Sequence, residues 1–188
     1  YSDEWVAEAQ KRGLLNLHST VDAMKMYMRD ENAALFERHH VLSKTEFRSR
    51  YEITLENYYK QINIEALTML DMIQKDIIPA VCSYLKDLSK EVVCKKQISA
   101  EISCETEEAL LKKISSLCTD LYRETEKLQK AVDGATGFAN VQDEASYYRN
   151  TVFAQMEITR GIADELETCV GRKYWPFPSY GDLLFSVM

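Results

Sequence analysis

Glycine and proline are scarce in this chain: of 188 residues, six are glycine and three are proline. Turns depend on these residues for their backbone conformations, so a chain with so few of them has few turns. This scarcity argues against β-sandwiches, barrels and multi-stranded α/β folds, and it favours a few long helices. A chain of this length buries about 70 % of its surface on folding, which is enough for one core without disulfides or metals.

Excess positive charge and long apolar runs are also absent. The net charge at pH 7 is −7, whereas nucleic-acid binding needs a basic surface. No window approaches 18 consecutive apolar residues, and no signal peptide opens the chain. We therefore expect neither nucleic acid nor membrane as a partner. Because the chain does not begin with methionine, we also expect it to be part of a longer polypeptide.

The cysteines form no recognisable framework. Their number is odd, their spacing is irregular, and no C-x-x-C motif occurs; the positions are Cys82, Cys94, Cys104, Cys118 and Cys169. This pattern predicts buried, reduced thiols in a cytoplasmic protein.

Short helices are predicted within residues 1–40, followed by one long helix from about residue 44. A capping box, Ser43 with Glu46 three residues later, marks the start of the long helix. Its apolar positions repeat every 11 residues, which keeps one stripe on one face of a nearly straight helix. The stripe comprises Phe47, Tyr51, Leu55, Tyr58, Ile62, Ala66, Met69, Ile73, Ile77, Ala80, Tyr84 and Leu88. Pro79 removes a backbone donor and predicts either a kink or two helices that meet near Ile78.

A helical hairpin is predicted over about residues 106–171, after a loop at 95–105. Its first helix carries a stripe of Leu110, Ile114, Leu117, Leu121, Leu128 and Ala131, and Gly134 ends it. The last helix begins near Asn140 and carries Val141, Ala145, Tyr148, Val152, Met156, Thr159, Ala163, Leu166 and Val170. Two long helices joined by a short loop pack antiparallel. The sequence thus predicts an all-α fold, an elongated up-down helical bundle over residues 1–173.

Residues 174–188 break the helical pattern and form a predicted docking tail. Pro176 and Pro178 argue against a helix there, so we expect an irregular, aromatic segment. Its large apolar side chains are Tyr174, Trp175, Phe177, Tyr180, Leu183, Leu184 and Phe185. Burying each contributes about 1.5–3 kcal/mol, so the segment is expected to dock, either on its own bundle or on another domain or subunit.

Motifs that bind phosphate or support nucleophilic catalysis are missing from the sequence, and we expect no catalytic, cofactor-binding or metal-binding residue. One partial match to a di-iron bundle exists, Glu37 with His40 at Glu-x-x-His spacing. The second Glu-x-x-His is missing, and Glu65 and Glu157 are only loosely suitable partners. A polar helix end with two histidines near its negative dipole is the simpler interpretation.

Several strings, taken together, resemble the C-terminal region of type III glutamine synthetases. They follow the expected order along nearly the whole chain and are KRGLLNL at 11–17, ALFERH at 34–39, RYEITLENYYKQINIEA at 50–66, IPAV at 78–81 and YWPFPSYGDLLFSV at 174–187. Residues 95–140 match only in helical pattern. The long aromatic string at the C-terminus is the most specific of these resemblances.

The resemblance implies a function for the parent protein. Such enzymes are cytoplasmic ligases, mainly bacterial, that join ammonia to glutamate through γ-glutamyl phosphate, using ATP and Mg or Mn. They serve glutamine biosynthesis and nitrogen metabolism as double-ring homo-oligomers. Their catalytic motifs lie N-terminal to the present residues. The resemblance therefore implies a non-catalytic accessory or assembly domain, whose partners are the remainder of its own synthetase chain and the neighbouring subunits.

Two other hypotheses remain at this point. The long helix with its 11-residue period would also suit a stand-alone adaptor or regulatory bundle that binds a protein partner. A di-iron oxidase would use the Glu37 and His40 pair and would contain bound iron.

Overall fold

The computed structural model describes residues 2–185, and this part of the chain contains helices and no strand. The α-helices are α1 (Asp3–Lys11), α2 (Thr20–Tyr27), α3 (Asp30–Arg38), α4 (Lys44–Met72), α5 (Ile78–Ile98), α6 (Glu105–Asp133), α7 (Val141–Tyr147), α8 (Ala154–Cys169) and α9 (Tyr180–Leu184). Two π-helical segments, Ile73–Ile77 and Tyr148–Phe153, join α4 to α5 and α7 to α8. The predicted all-α helical bundle is confirmed.

The chain groups into two compact units. Unit 1 consists of residues 1–62 and 137–150, and unit 2 consists of residues 63–136 and 151–188. The predicted boundary between a bundle at 1–173 and a tail at 174–188 stays a prediction, because compactness does not show which part folds by itself. Of the predicted tail, residues 186–188 lie outside the described residues.

Unit 1 has a small core where the short N-terminal helices meet α4 and α7. Val21, Leu55 and Ala145 are almost fully buried, and tyrosines of α4 pack around them. An aromatic cluster adds to this core, with the rings of Tyr27 and Phe47 stacked at 4.2 Å between centroids. Aromatic pairs of this kind stabilise a core beyond the area that they bury.

Unit 2 is an antiparallel helical bundle. Lys95 of α5 contacts Glu107 of α6, and Lys113 of α6 contacts Glu165 of α8 at 2.9 Å. The side-chain amide of Gln155 in α8 also donates to Glu124 Oε2 of α6 at 2.8 Å, so residue numbers fall along α8 as they rise along α6, and these two helices are antiparallel. The short connection 99–104 joins α5 to α6, which makes these two helices antiparallel neighbours as well. The buried cluster consists of Ile73, Ile77, Val81, Ile114, Leu121, Ala163, Leu166 and Val170.

Of the two predicted alternatives at Pro79, the structure has the second: a new α-helix, α5, begins at Ile78, Pro79 lies in its first turn, and a π-helical turn precedes it. Proline has no N–H to donate, and its ring clashes with the carbonyl four residues earlier in a regular α-helix. The wider π-helical turn accommodates both features. Burial differs from the predicted stripe by one residue directly after this turn, while Leu88 further along is buried as predicted. Val81 is fully buried, whereas the predicted Ala80 is only half-buried.

Two further predictions about local structure need correction. The loop predicted at 95–105 is shorter, because α5 continues to Ile98 and ion pairs between α5 and α6 hold its last turn. The C-terminal segment is not irregular throughout, because residues 180–184 form the short helix α9. Prolines exclude a helix across their own positions, but Pro178 does not prevent one from starting two residues later.

All five cysteines are free, but the predicted burial of their thiols is wrong in part: Cys104 is buried, whereas Cys82 and Cys94 are exposed.

None of the helices among residues 2–185 is both long enough and apolar enough to span a membrane.

Candidate interface at the C-terminal segment

The C-terminal segment turns back onto unit 2 directly after α8. Val170 leaves the helical conformation, and the backbone N–H groups of Tyr174 and Trp175 donate hydrogen bonds to the Gly171 carbonyl at 2.8 and 3.3 Å. This tight turn directs the following side chains onto the bundle. A side chain at Gly171 would meet the rings of Tyr84 and Tyr174, each at 3.6 Å.

The first part of the segment, residues 174–177, packs on the core of unit 2. Tyr174, Trp175 and Phe177 are half-buried against the cluster that contains Ile73 and Ile77. The Trp175 and Phe177 rings meet edge to face at 6.4 Å. For these three side chains, the apolar partner is the bundle itself.

A hydrogen bond joins this first part to α5. The Tyr174 hydroxyl donates to Asp87 Oδ2 at 2.9 Å, and its ring lies 5.1 Å from the Tyr84 ring. The bond stabilises the carboxylate, so the pKa of Asp87 is lowered, and the same bond raises the pKa of Tyr174. The contact therefore favours an ionised Asp87 and a neutral Tyr174.

The second part of the segment is anchored by polar contacts around Asp182. Asp182 Oδ2 accepts hydrogen bonds from the Ser179 backbone N–H at 2.8 Å and the Ser179 hydroxyl at 2.7 Å, while Ser179 Oγ accepts from the Asp182 N–H. This is a capping box. Arg172 forms an ion pair with the other carboxylate oxygen. Hydrogen bonds from Ser179 and the charge of Arg172 lower the pKa of Asp182.

Despite these anchors, the apolar side chains of the second part point into solvent. Tyr180 is 84 % exposed, Leu183 is 61 % exposed, and Leu184 and Phe185 are each 72 % exposed. Exposed apolar residues that stand close together are typical of interaction sites, whereas scattered ones are not. We call residues 180–185 the exposed apolar segment.

An open groove adjoins the exposed apolar segment within unit 2. It has a volume of about 910 Å³, and the end of α4, α8 and residues 175–183 form its walls. Sequence reasoning missed this groove, because its α4 residues Ile64 and Met72 lie off the predicted stripe. It also missed the capping box, although the S-x-x-D spacing of Ser179 and Asp182 is a signal that could have revealed it.

The seven residues predicted to dock thus form two groups that differ in solvent exposure. Three pack on unit 2 and four are exposed, as described above. The prediction that the segment contacts another domain or subunit stays a prediction.

The partial di-iron motif has a local structural explanation. His40 adopts a positive φ of 51° after α3, and the Val41 N–H donates to the Phe36 carbonyl at 3.0 Å, which closes the helix end. Glu37 pairs with Lys44 at 3.3 Å. Within residues 2–185, no three His, Cys, Asp or Glu side chains converge as a metal ion requires.

Comparison with protein families gives a match over the first half of the chain. The sequence model of the family "Glutamine synthetase C-terminal domain" matches residues 1–96. The match ends at residue 96, close to the start of the stretch 95–140, which resembles type III glutamine synthetases only in its helical pattern.

Comparison with curated proteins extends the similarity over the whole chain. A glutamine synthetase of Butyrivibrio fibrisolvens is 44 % identical over 187 residues, which is 100 % of this chain and 27 % of that protein. A glutamine synthetase of Bacteroides fragilis (strain YCH46) and a type-3 glutamine synthetase of Dictyostelium discoideum are each 30 % identical, over 99 % and 98 % of this chain and 26 % of each protein. The chain spans about a quarter of the length of these relatives.

Proposed function

Because the chain belongs to the glutamine synthetase C-terminal domain family, we propose that it is the helical accessory domain of a type III glutamine synthetase and serves packing and subunit assembly. In this proposal the parent enzyme is cytoplasmic and ligates ammonia to glutamate through γ-glutamyl phosphate, with ATP and Mg²⁺ or Mn²⁺. This chain contributes no catalytic, cofactor-binding or metal-binding residue. Its partners are the remainder of the synthetase chain and the neighbouring subunits of a double-ring homo-oligomer.

The observation that supports an assembly role most directly is the exposed apolar segment. Its helix is held by the Ser179–Asp182 capping box and the Arg172 ion pair, so it does not depend on its own apolar side chains for its conformation. Those side chains are exposed to solvent, and each one that a partner buries would contribute about 1.5–3 kcal/mol. A partner surface in the same polypeptide or in a neighbouring subunit would supply that burial.

Point variants test this proposal better than truncation does. Deleting residues 174–188 also removes Trp175 and Phe177 from the core of unit 2, so a loss of assembly would have two explanations. The double change Leu184→Ser and Phe185→Ser in the full-length synthetase leaves that core in place. A matched control is the double change Val93→Ser and Ile98→Ser, because both residues are exposed apolar residues of α5 in the same unit.

Sedimentation velocity and thermal melting provide the readouts. We expect the Leu184 and Phe185 variant to sediment as smaller species or to melt at a lower temperature, and the control to behave as the parent does. If the first variant keeps both the full assembly size and the melting temperature, the exposed apolar segment has no assembly role.

A separate test concerns the parent protein. The coding DNA upstream of Tyr1 is expected to continue in frame through the catalytic core of a glutamine synthetase. A start codon directly before Tyr1 would instead leave the stand-alone adaptor as the function to pursue, with a partner screen as the next experiment.

A further inference from the structure

The groove beside α8 has an apolar, deformable lining. We call it the α8 groove; apolar residues that line it include Ile64, Met72, Phe153, Met156, Trp175 and Leu183. Methionine is over-represented at surfaces that adapt to a partner, because its unbranched side chain fits irregular shapes. The stretch of α4 from Ile64 to Met72 is about 12 Å long at 1.5 Å per residue, which is the length of two to three helical turns.

Gly161 lies at the α8 groove in the interior of α8, where nothing in the described structure requires a glycine. A Cβ added there would meet no atom within 4 Å, and the backbone is helical. Glycine in a helix interior destabilises the helix relative to alanine, because it loses more backbone freedom on folding. A glycine in such a position allows another backbone to approach closely.

The charged residues that line the α8 groove are mostly acidic. They include Glu65, Glu157, Asp164 and Glu167, and among the described lining residues Arg160 is the only basic one. Arg160 Nε lies 3.4 Å from Asp164 Oδ2, so its charge is directed to a carboxylate of the same helix. The groove therefore has a surplus of negative charge, which complements a partner that carries lysine or arginine.

Charge and backbone chemistry restrict the occupant further. A second copy of this chain is disfavoured, because each copy has a net charge of −7 and the same acidic groove. An extended strand is disfavoured because the groove walls include helices, which offer no sheet edge to pair with its backbone. A helix satisfies its own backbone hydrogen bonds and presents one apolar face, so it suits a groove of this kind.

We propose that the α8 groove receives an amphipathic helix flanked by lysine or arginine, supplied by the part of the synthetase polypeptide that lies outside these 188 residues. The source of the helix rests on the proposed function: the relatives are nearly four times as long as this chain, and a partner in the same polypeptide acts at high effective concentration. The helix crosses α8 at Gly161 and places its basic residues beside Glu157 and Glu167.

Photo-crosslinking in the full-length synthetase tests the location. The photoreactive residue p-benzoylphenylalanine replaces Gly161, and in a control it replaces Ser116, which is exposed on α6 away from the groove. Open space above Gly161 accommodates the larger side chain. We expect position 161 to crosslink to a lysine- or arginine-bearing helix of the synthetase outside residues 1–188, and position 116 not to do so. A crosslink to another protein, a crosslink to a second copy of residues 1–188, or the absence of any crosslink beyond these residues overturns the proposal.

Charge reversal tests the chemistry of the partner in the same assay. With Glu157→Lys and Glu167→Lys introduced together, we expect the yield of the crosslink from position 161 to fall about tenfold, because like charges then face each other. Glu126→Lys, on an exposed position of α6, is the control and should leave the yield unchanged. An unchanged yield in the double variant shows that the partner helix is not basic and contradicts the proposal.

The two proposals fail in different ways. If the Leu184 and Phe185 variant loses assembly while position 161 gives no crosslink, the assembly role stands and the helix in the groove does not. If position 161 crosslinks as expected while assembly size and melting temperature stay unchanged in that variant, the groove proposal stands and the exposed apolar segment has no assembly role.

Discussion

Residues 174–177 and residues 180–185 are similar in composition but lie in different surroundings. The first stretch places Tyr174, Trp175 and Phe177 against the core of unit 2, whereas the second exposes Leu184 and Phe185 to solvent. Both stretches are rich in large apolar side chains, and burial of such side chains has the same driving force in either place. Hydrophobicity alone therefore does not explain which stretch is buried.

The difference lies in how each stretch is held. Contacts between rings and the core hold the first stretch, and the Ser179–Asp182 capping box with the Arg172 ion pair holds the second. Because polar contacts fix the conformation of this short helix, its apolar side chains remain exposed to solvent. The comparison indicates that the apolar side chains of the first stretch stabilise this domain, whereas those of the second contribute little to it.

The largest effect is expected where the first stretch meets the core. Trp175→Ala should lower the free energy of unfolding of the 188-residue chain by about 2–3 kcal/mol, because the ring packs against the buried cluster of unit 2. For a chain of this length that is a fall of about 5–10 °C in melting temperature, measured by circular dichroism at 222 nm. A loss below about 0.5 kcal/mol would contradict the assignment of this stretch to the core.

A smaller and local effect is expected at the cap of α9. Ser179→Ala removes a side-chain hydrogen bond to the Asp182 N–H, which destabilises a short helix by about 1 kcal/mol. Amide hydrogen exchange at Asp182 and Leu183 should become about fivefold faster, while exchange within α6 stays as it is. Equal acceleration in both helices would mean that the cap is coupled to the core and that the two stretches are not held separately.

Each of the two anchoring carboxylates, Asp87 and Asp182, should have a pKa that responds to a different substitution. The pKa values of Asp87 and Asp182 are lowered in the folded chain, so each contributes stability above its unfolded pKa of about 3.9 and loses it as the pH falls through the folded value. Tyr174→Phe should raise the pKa of Asp87 and leave that of Asp182 unchanged, and Ser179→Ala should do the reverse. Carboxyl NMR titration between pH 2 and 6 measures both. If either variant moves both pKa values equally, the two anchors are not independent.

The smallest effect is expected for the exposed apolar segment in the isolated chain. Leu184→Ser should change the free energy of unfolding of the 188 residues by less than about 0.5 kcal/mol, because the side chain is 72 % exposed. Urea denaturation of the isolated chain provides the measurement. A loss above about 1 kcal/mol would show that Leu184 supports this domain directly, which would remove the contrast between the two stretches.

Periodicity predicted the last helices and their buried face well. Of the nine positions in the predicted stripe from Val141 to Val170, the eight from Ala145 onward are buried, and Val141 is half-buried. The stripe persists through the π-helical segment Tyr148–Phe153, which gave no signal in the sequence. One buried residue of α6 was missed: Thr125 is polar, but its hydroxyl donates to the Leu121 carbonyl at 2.7 Å, so the residue is buried without an unsatisfied group.

The candidate interface was predicted only in part. Its apolar residues were identified because large side chains near two prolines cannot form an ordinary amphipathic helix, yet the sequence could not show which of them the bundle would cover. The α8 groove was not predicted at all, since it is formed by residues far apart in the chain, such as Ile64, Met156 and Leu183. Spacing along one helix carries no information about such a combination.

The all-α class, the order of the helices and the stripe of the last helix follow from local rules: scarce turn residues, caps such as Ser43 with Glu46, and spacings of three and four residues. The burial of Val81 in place of Ala80, the division of the C-terminal segment and the groove beside Gly161 depend on contacts between distant residues. Packing of helices against one another decides these features, because a side chain becomes buried only when another element covers it.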